Sequence, residues 1–383
     1  MYKERLLTPG PTPIPQQVLQ AMERPLLHHR SDVFKRELLL ACEGMQWVLN
    51  WDSSPVFLAC SGTGAMEAAL LNCCSPGDEI VTVNAGVFGA RWRSIGERLG
   101  LRVHELTIPA GAACTAAQAM TFIEQHPSAK VFCIQHAETS TTVLHPLQEI
   151  LAEVKKRVPQ IITIVDGISA CVTTPMPGGP ATIDVYIAGS QKAFMLPPGL
   201  SMIALSTHAW EIVEKTPKRS LYFDLSLERK SLAKGETSWT PASTIIVGLN
   251  AAIQIFREEG LENVYARHRK LTAIARAGIK ALGFELLAPE AATACPSVTG
   301  FFPPQGIDAD TLRGEVRKRY GIRLAGGQGQ LTGKVVRVGH MGYIDAFEVT
   351  NAISAIGLTA KRLGASVDIA QASLACLDEL QKA

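Results

Sequence analysis

Seven short runs read as strands in the first 205 residues, at 56–60, 80–83, 101–106, 131–135, 161–165, 184–188 and 200–205, and several are apolar throughout. A strand apolar at every position, rather than at every second one, is covered on both faces. Helical patterns fill intervals between the runs, at 65–72, 88–99 and 147–157, the last an amphipathic crossover. Short crossover connections through helices make neighbouring strands parallel. The expectation is an α/β chain whose mainly parallel sheet carries helices on both sides.

At 383 residues the chain exceeds one ordinary core, so a second domain is expected. The reading is an arm at 1–15, a large domain at 16–260 and a smaller α+β domain at 261–383. Residues 207–245 are richer in charge and read as an irregular connection, while the alanine-rich 110–119 reads as a loop leading into a helix. Helices are expected at 243–259, 262–282, 308–320 and 346–363, and strands at 284–287 and 335–338.

A net charge of +2 implies no basic field for nucleic acid or an anionic membrane. No apolar stretch approaches a membrane span, and the N-terminal residues lack the apolar core of a signal peptide. Nine scattered cysteines without Cys-x-x-Cys fit reduced thiols in a cytoplasmic enzyme better than zinc or a disulfide framework. His28-His29-Arg30 reads as a polar entrance loop rather than a metal site, and no metal is expected.

Three places carry chemistry. Ser61-Gly62-Thr63-Gly64-Ala65 lies between a strand and a helix, where backbone N–H groups and the helix dipole suit a phosphate. It is neither a dinucleotide fingerprint nor a Walker loop, and a plain structural turn reads the same. Asp166 ends an apolar strand, the edge at which open α/β sheets bind ligands. It is placed to hold a proton on a pyridine nitrogen, or simply to cap a helix. Lys192 follows an apolar strand among small and apolar neighbours, as a Schiff-base lysine requires, although a snorkelling lysine shares that pattern.

Gly189-Ser190-Gln191-Lys192 with Pro197-Pro198-Gly199 resembles the lysine motif of class V aminotransferases, in particular the alanine–glyoxylate and serine–glyoxylate (serine–pyruvate) group. The resemblance spans nearly the whole chain. It includes Thr8-Pro9-Gly10-Pro11, the run from Ser61 to Ala68, His136-Ala137-Glu138-Thr139-Ser140-Thr141, Val165-Asp166 and the run from Gly333 to Gly339.

That resemblance implies fold type I, pyridoxal 5′-phosphate and a ping-pong transfer from alanine or serine to glyoxylate or pyruvate. Lys192 would carry the cofactor and move a proton between substrate Cα and cofactor C4′, and Asp166 would pair with the ring nitrogen. Thr63, Gly64, Ala65 and Gln191 would hold the phosphate, joined by Thr240 of a neighbouring subunit in a homodimer. Phe88 and Ile168 would cover the two ring faces. Thr139 would serve the phenolic oxygen or the substrate carboxylate, and Arg337 with the Gly10 backbone would grip that carboxylate. Arg30 is the open variable for substrate choice, and His136 orients a loop rather than acting as base. Aspartate, ureidoglycine or an aminophosphonate are competing donors. A cysteine desulfurase would need a cysteine ahead of Arg337, where 321–328 has none.

Overall fold

The computed structural model describes residues 3–382; Met1 and Tyr2, heading the expected arm, and Ala383, closing the expected small domain, lie outside the described residues. Among those residues the main sheet has seven strands, in the order Val56–Leu58, Ser201–Leu205, Val185–Gly189, Ile162–Asp166, Ala129–Gln135, Glu79–Asn84 and Arg102–Thr107. Ser201–Leu205 runs antiparallel to both neighbours and the other pairings are parallel. Alternate residues of one strand enter different cores. Phe132 and Ile134 join one, Val131 and Cys133 the other. Two apolar cores, one per face, are why these strands lack a polar side.

Ser201 pairs with both Leu58 and Gly189, so Val56–Leu58 points the same way as the parallel strands. Six chain segments therefore leave the sheet at one edge: those after Leu58, Asn84, Thr107, Gln135, Asp166 and Gly189. Every α/β motif singled out in the sequence lies on one of these exits.

A second sheet of five strands has the order Arg5–Leu7, Ile322–Gly326, Val336–Gly339, Val298–Phe302 and Glu285–Leu286. Arg5–Leu7 joins it in parallel, and the remaining pairs are antiparallel. Helices Leu261–Ala281, Ala309–Tyr320, Ala346–Arg362 and Ile369–Gln381 contribute to its separate core.

Residues 207–245 are not the irregular connection that their charge suggested. They contain helices Thr207–Lys215 and Leu225–Leu232, capped by Ser206 accepting from Ala209 N and Asp224 accepting from Ser226 N. The first buries only Ala209, Trp210 and Val213, so a narrow apolar stripe carries a largely polar surface.

Candidate active site

Lys192 sits in the turn after Val185–Gly189, and hydrogen bonds on both sides hold that turn. Ser190 Oγ donates to Pro197 O at 2.7 Å and accepts from Leu200 N, while Thr12 Oγ1 donates to Lys192 O at 2.8 Å. The amine itself donates to the Pro9 carbonyl. Gly10, at φ +119, lies so close that a Cβ there would stand 2.7 Å from both Lys192 Cδ and Nζ. Only glycine allows that backbone path beside the lysine. Burial pushes the amine down to about 8, with Asp166 opposing and Arg337 and Arg91 adding to the drop.

Asp166 ends its strand one position over in the sheet. Its Oδ1 accepts from Ile168 N at 2.9 Å. Burial raises the carboxyl to about 6, against the Ile168 N–H that favours its charge. A cationic N–H beside it would restore the ionised form. His136 N donates to the Asp166 carbonyl at 2.8 Å, and burial pushes the His136 imidazole down to about 3, leaving it neutral.

The glycine motif opens helix Gly62–Cys73, and Ser61 at its N-cap makes no side-chain capping bond. The N–H groups of the first turn are thus not satisfied by a capping side chain. A Cβ on Gly62 would stand 2.2 Å from Ile168 Cδ1, so the glycine lets that side chain pack against the helix start. Buried Gln191 Oε1 has no partner, nor does buried Thr139 Oγ1.

Phe88 opens helix Val87–Arg98, and Lys192 Nζ lies 6.0 Å from its ring centroid. Glu138, fully buried, holds this helix start: its carboxylate accepts from Gly89 N at 2.8 Å and from the Ser140 hydroxyl at 2.5 Å. Ser140 Oγ in turn accepts from Val87 N at 2.9 Å. Arg337 comes from the second sheet and is only 4% exposed. It donates through Nε to Gly326 O at 2.9 Å and through Nη1 to Thr139 O at 2.8 Å. Burial lowers it to about 10, still well above neutrality, so the guanidinium stays charged.

The structure thus links Gly10, Phe88, Thr139, Asp166, Lys192 and Arg337 through contacts or mutual electrostatics, with Thr63, Gly64, Ala65, Ile168 and Gln191 alongside. Thr240 is different: it is exposed and makes no hydrogen bond to these residues within the chain. Its segment is held by Trp239, whose Nε1 donates to Tyr222 O at 3.1 Å. Arg30 belongs to the same region, donating to Glu236 at 2.8 Å and to Thr237 O at 3.0 Å.

Sequence reasoning missed Arg91, Glu138 and the Pro9 carbonyl. Arg91 was detectable, since it follows Phe88 by three residues and so shares its helix face. The other two had no comparable signal, because a carbonyl has no side chain to read and Glu138 declares itself only through its partners.

Residues 5–350 match the family model for aminotransferase class-V. The chain belongs to the class V aminotransferase family. It is 35% identical to the soluble hydrogenase small subunit of a Synechococcus strain over 94% of each chain. It is 32% identical to the L-aspartate–glyoxylate aminotransferase of Paracoccus denitrificans, over 95% of this chain and 93% of that one. The crystal structure of ureidoglycine–glyoxylate aminotransferase from Bacillus subtilis superposes with a TM-score of 0.91 at 26% identity, covering 100% of this chain and 99% of the other. The aminotransferase has fold type I, and its cofactor is pyridoxal 5′-phosphate. Its residues fit that group: an enclosed amine, a buried carboxyl on the adjacent strand, an aromatic ring, an uncapped helix start and two orphaned polar oxygens.

Proposed function

We propose that this aminotransferase moves the amino group of a small amino acid, alanine or serine, to glyoxylate or pyruvate in two half-reactions. The observation that carries the reading is Arg337. It is a buried, charged guanidinium bonded to the Thr139 carbonyl and carried by the second sheet. A planar guanidinium grips a carboxylate with parallel hydrogen bonds and so orients the neighbouring Cα–H. Glyoxylate as acceptor is supported by the names of two proteins it resembles, from Paracoccus denitrificans and Bacillus subtilis.

Bound pyridoxal 5′-phosphate supplies an electron sink conjugated to the carbon that loses its proton. Lys192 would hold the cofactor and, as a free amine, would move the proton between substrate Cα and cofactor C4′. An amine near 8 suits both directions of that transfer at neutral pH. Asp166 keeps a proton on the ring nitrogen. Thr63, Gly64, Ala65 and Gln191 hold the phosphate, Phe88 and Ile168 flank the ring, and Thr139 with the Gly10 backbone completes the polar contacts.

In this reading 16–260 is the cofactor domain, 261–383 the small domain and 1–15 an arm touching both. Thr240 serves the site of a second copy in a homodimer. The exposed Leu39, Leu40 and Trp47 support this, since Gly235, near Thr240 in the chain, lies against Leu39. A second copy would cover such a patch. The free cysteines, eight of them buried, suit a reducing cytoplasm.

Dicarboxylate donors would need a second cation, or lose hydration without compensation. Arg30 is the candidate, and its ion pair with Glu236 already engages it. Steady-state kinetics over a donor panel tests the assignment. Alanine or serine should show a higher kcat/KM than aspartate or glutamate. Arg337→Ala should lower kcat/KM for every donor by roughly a hundredfold, the scale of a lost charge-assisted pair. A preference for aspartate that Arg30→Ala reverses would overturn the choice of small donors.

A further inference from the structure

Arg91 stands beside the phosphate motif and forms no ion pair among the described residues. It lies one turn beyond Phe88 in helix Val87–Arg98 and is partly buried. Its Nη1 donates to Thr63 Oγ1 at 3.0 Å, and its Cζ stands 5.0 Å from the Phe88 ring centroid. Arg93 on the same helix pairs with Glu97 and Glu105. The direct contacts of Arg91 are a neutral hydroxyl and a ring, and its field reaches Asp166 and Lys192.

We infer that Arg91 is a positioning residue for the cofactor phosphate, fixing the direction of the Thr63 hydroxyl and supplying a counter-charge behind it. The inference rests on the proposed seat of the phosphate at Thr63, Gly64 and Ala65. A guanidinium has donors only, so the Thr63 oxygen must accept from it. The single hydroxyl proton of Thr63 then turns away from Arg91 and is available to a phosphate oxygen. A threonine without this neighbour would be as free to accept as to donate, and an acceptor facing a dianion is repulsive. The guanidinium reaches the anion through Thr63 and by field.

Binding of pyridoxal 5′-phosphate and of pyridoxal, which lacks the phosphate, separates this role from a structural one. Cofactor-free protein is titrated with each, and the absorbance of the Lys192 adduct gives both dissociation constants. Arg91→Gln should weaken pyridoxal 5′-phosphate roughly 10- to 100-fold, as loss of a charge-assisted contact does, and leave pyridoxal unchanged. Arg91→Lys keeps the charge and should recover part of the difference. Because Arg91 acts through Thr63, the double variant Arg91→Gln/Thr63→Val should lose less than the product of the single losses. Equal weakening of both ligands by Arg91→Gln, or of neither, overturns the inference. The seat itself is checked by Thr63→Val alone: if that variant does not discriminate between the two ligands, the phosphate assignment fails. If Thr63→Val discriminates and Arg91→Gln does not, only the role of Arg91 fails.

Discussion

Lys192 and Thr240 are assigned to the same cofactor, yet the chain holds them in opposite ways. Lys192 stands on a turn pinned by Ser190 and Thr12, with its amine on the Pro9 carbonyl and Gly10 pressed against its stem. Thr240 is exposed on a segment kept in place by Trp239, Tyr222 and the surface pair of Arg30 and Glu236. The first arrangement is complete within one chain. The second presents a hydroxyl to solvent, and its proposed use is in the site of a second copy. Floor and rim of the site thus differ: burial and sheet topology set the floor, whereas the rim as proposed depends on assembly.

The largest effect should come from the floor. Lys192→Ala should reduce turnover by about 10³-fold or more, since both cofactor attachment and proton transfer go through one amine. Borohydride reduction of the wild-type protein should leave a pyridoxyl label on Lys192, and label on another lysine would break the comparison at its strongest point. Asp166→Asn should lower the rate less and loosen the cofactor as well.

The rim should give an intermediate effect that appears only in mixtures. Lys192→Ala chains reassembled with Thr240→Trp chains should form hybrids with one doubly defective site and one intact site. Random pairing makes half the dimers hybrid, so activity should recover to about a quarter of wild type. No recovery would show that Thr240 serves its own chain, and activity of Thr240→Trp chains alone that it serves neither; either would dissolve the contrast between floor and rim.

The smallest effect is a titration. In cofactor-free protein, labelling of Lys192 by an amine reagent should rise through a pH of about 8, below the 10.5 of an ordinary lysine. The neutral, reactive amine is thus populated at a lower pH than at the surface. Arg337→Ala removes a nearby cation and should shift that midpoint upward. A midpoint at the ordinary lysine value would mean that the floor is wetter than its packing implies.

The floor was largely legible in the sequence because its rules are local and repetitive. An apolar strand followed by Asp166, another followed by Lys192, and a glycine turn after a third all lie at one sheet edge once the strands are parallel. Helices Thr207–Lys215 and Leu225–Leu232 escaped because their buried stripes are narrow beneath charged surfaces. Strands Val298–Phe302 and Ile322–Gly326 escaped because glycine, threonine and arginine interrupt them, and their pairing partners lie far away in the chain. At the site, Glu138 was unreadable for a similar reason. A buried carboxylate that clamps a helix start is recognised by its donors, and those come from the Gly89 and Ser140 backbones and a serine hydroxyl.

Arg5–Leu7 pairs with Ile322–Gly326, and the residues just after it close over Lys192. On the ribosome, this early segment emerges long before either of its partners exists. The strand must wait for residue 322 to leave the exit tunnel before it has an edge to join. Completion of the lysine's surroundings is therefore tied to synthesis of nearly the whole polypeptide. A nascent chain halted before that strand would carry the reactive amine without the backbone that restrains it.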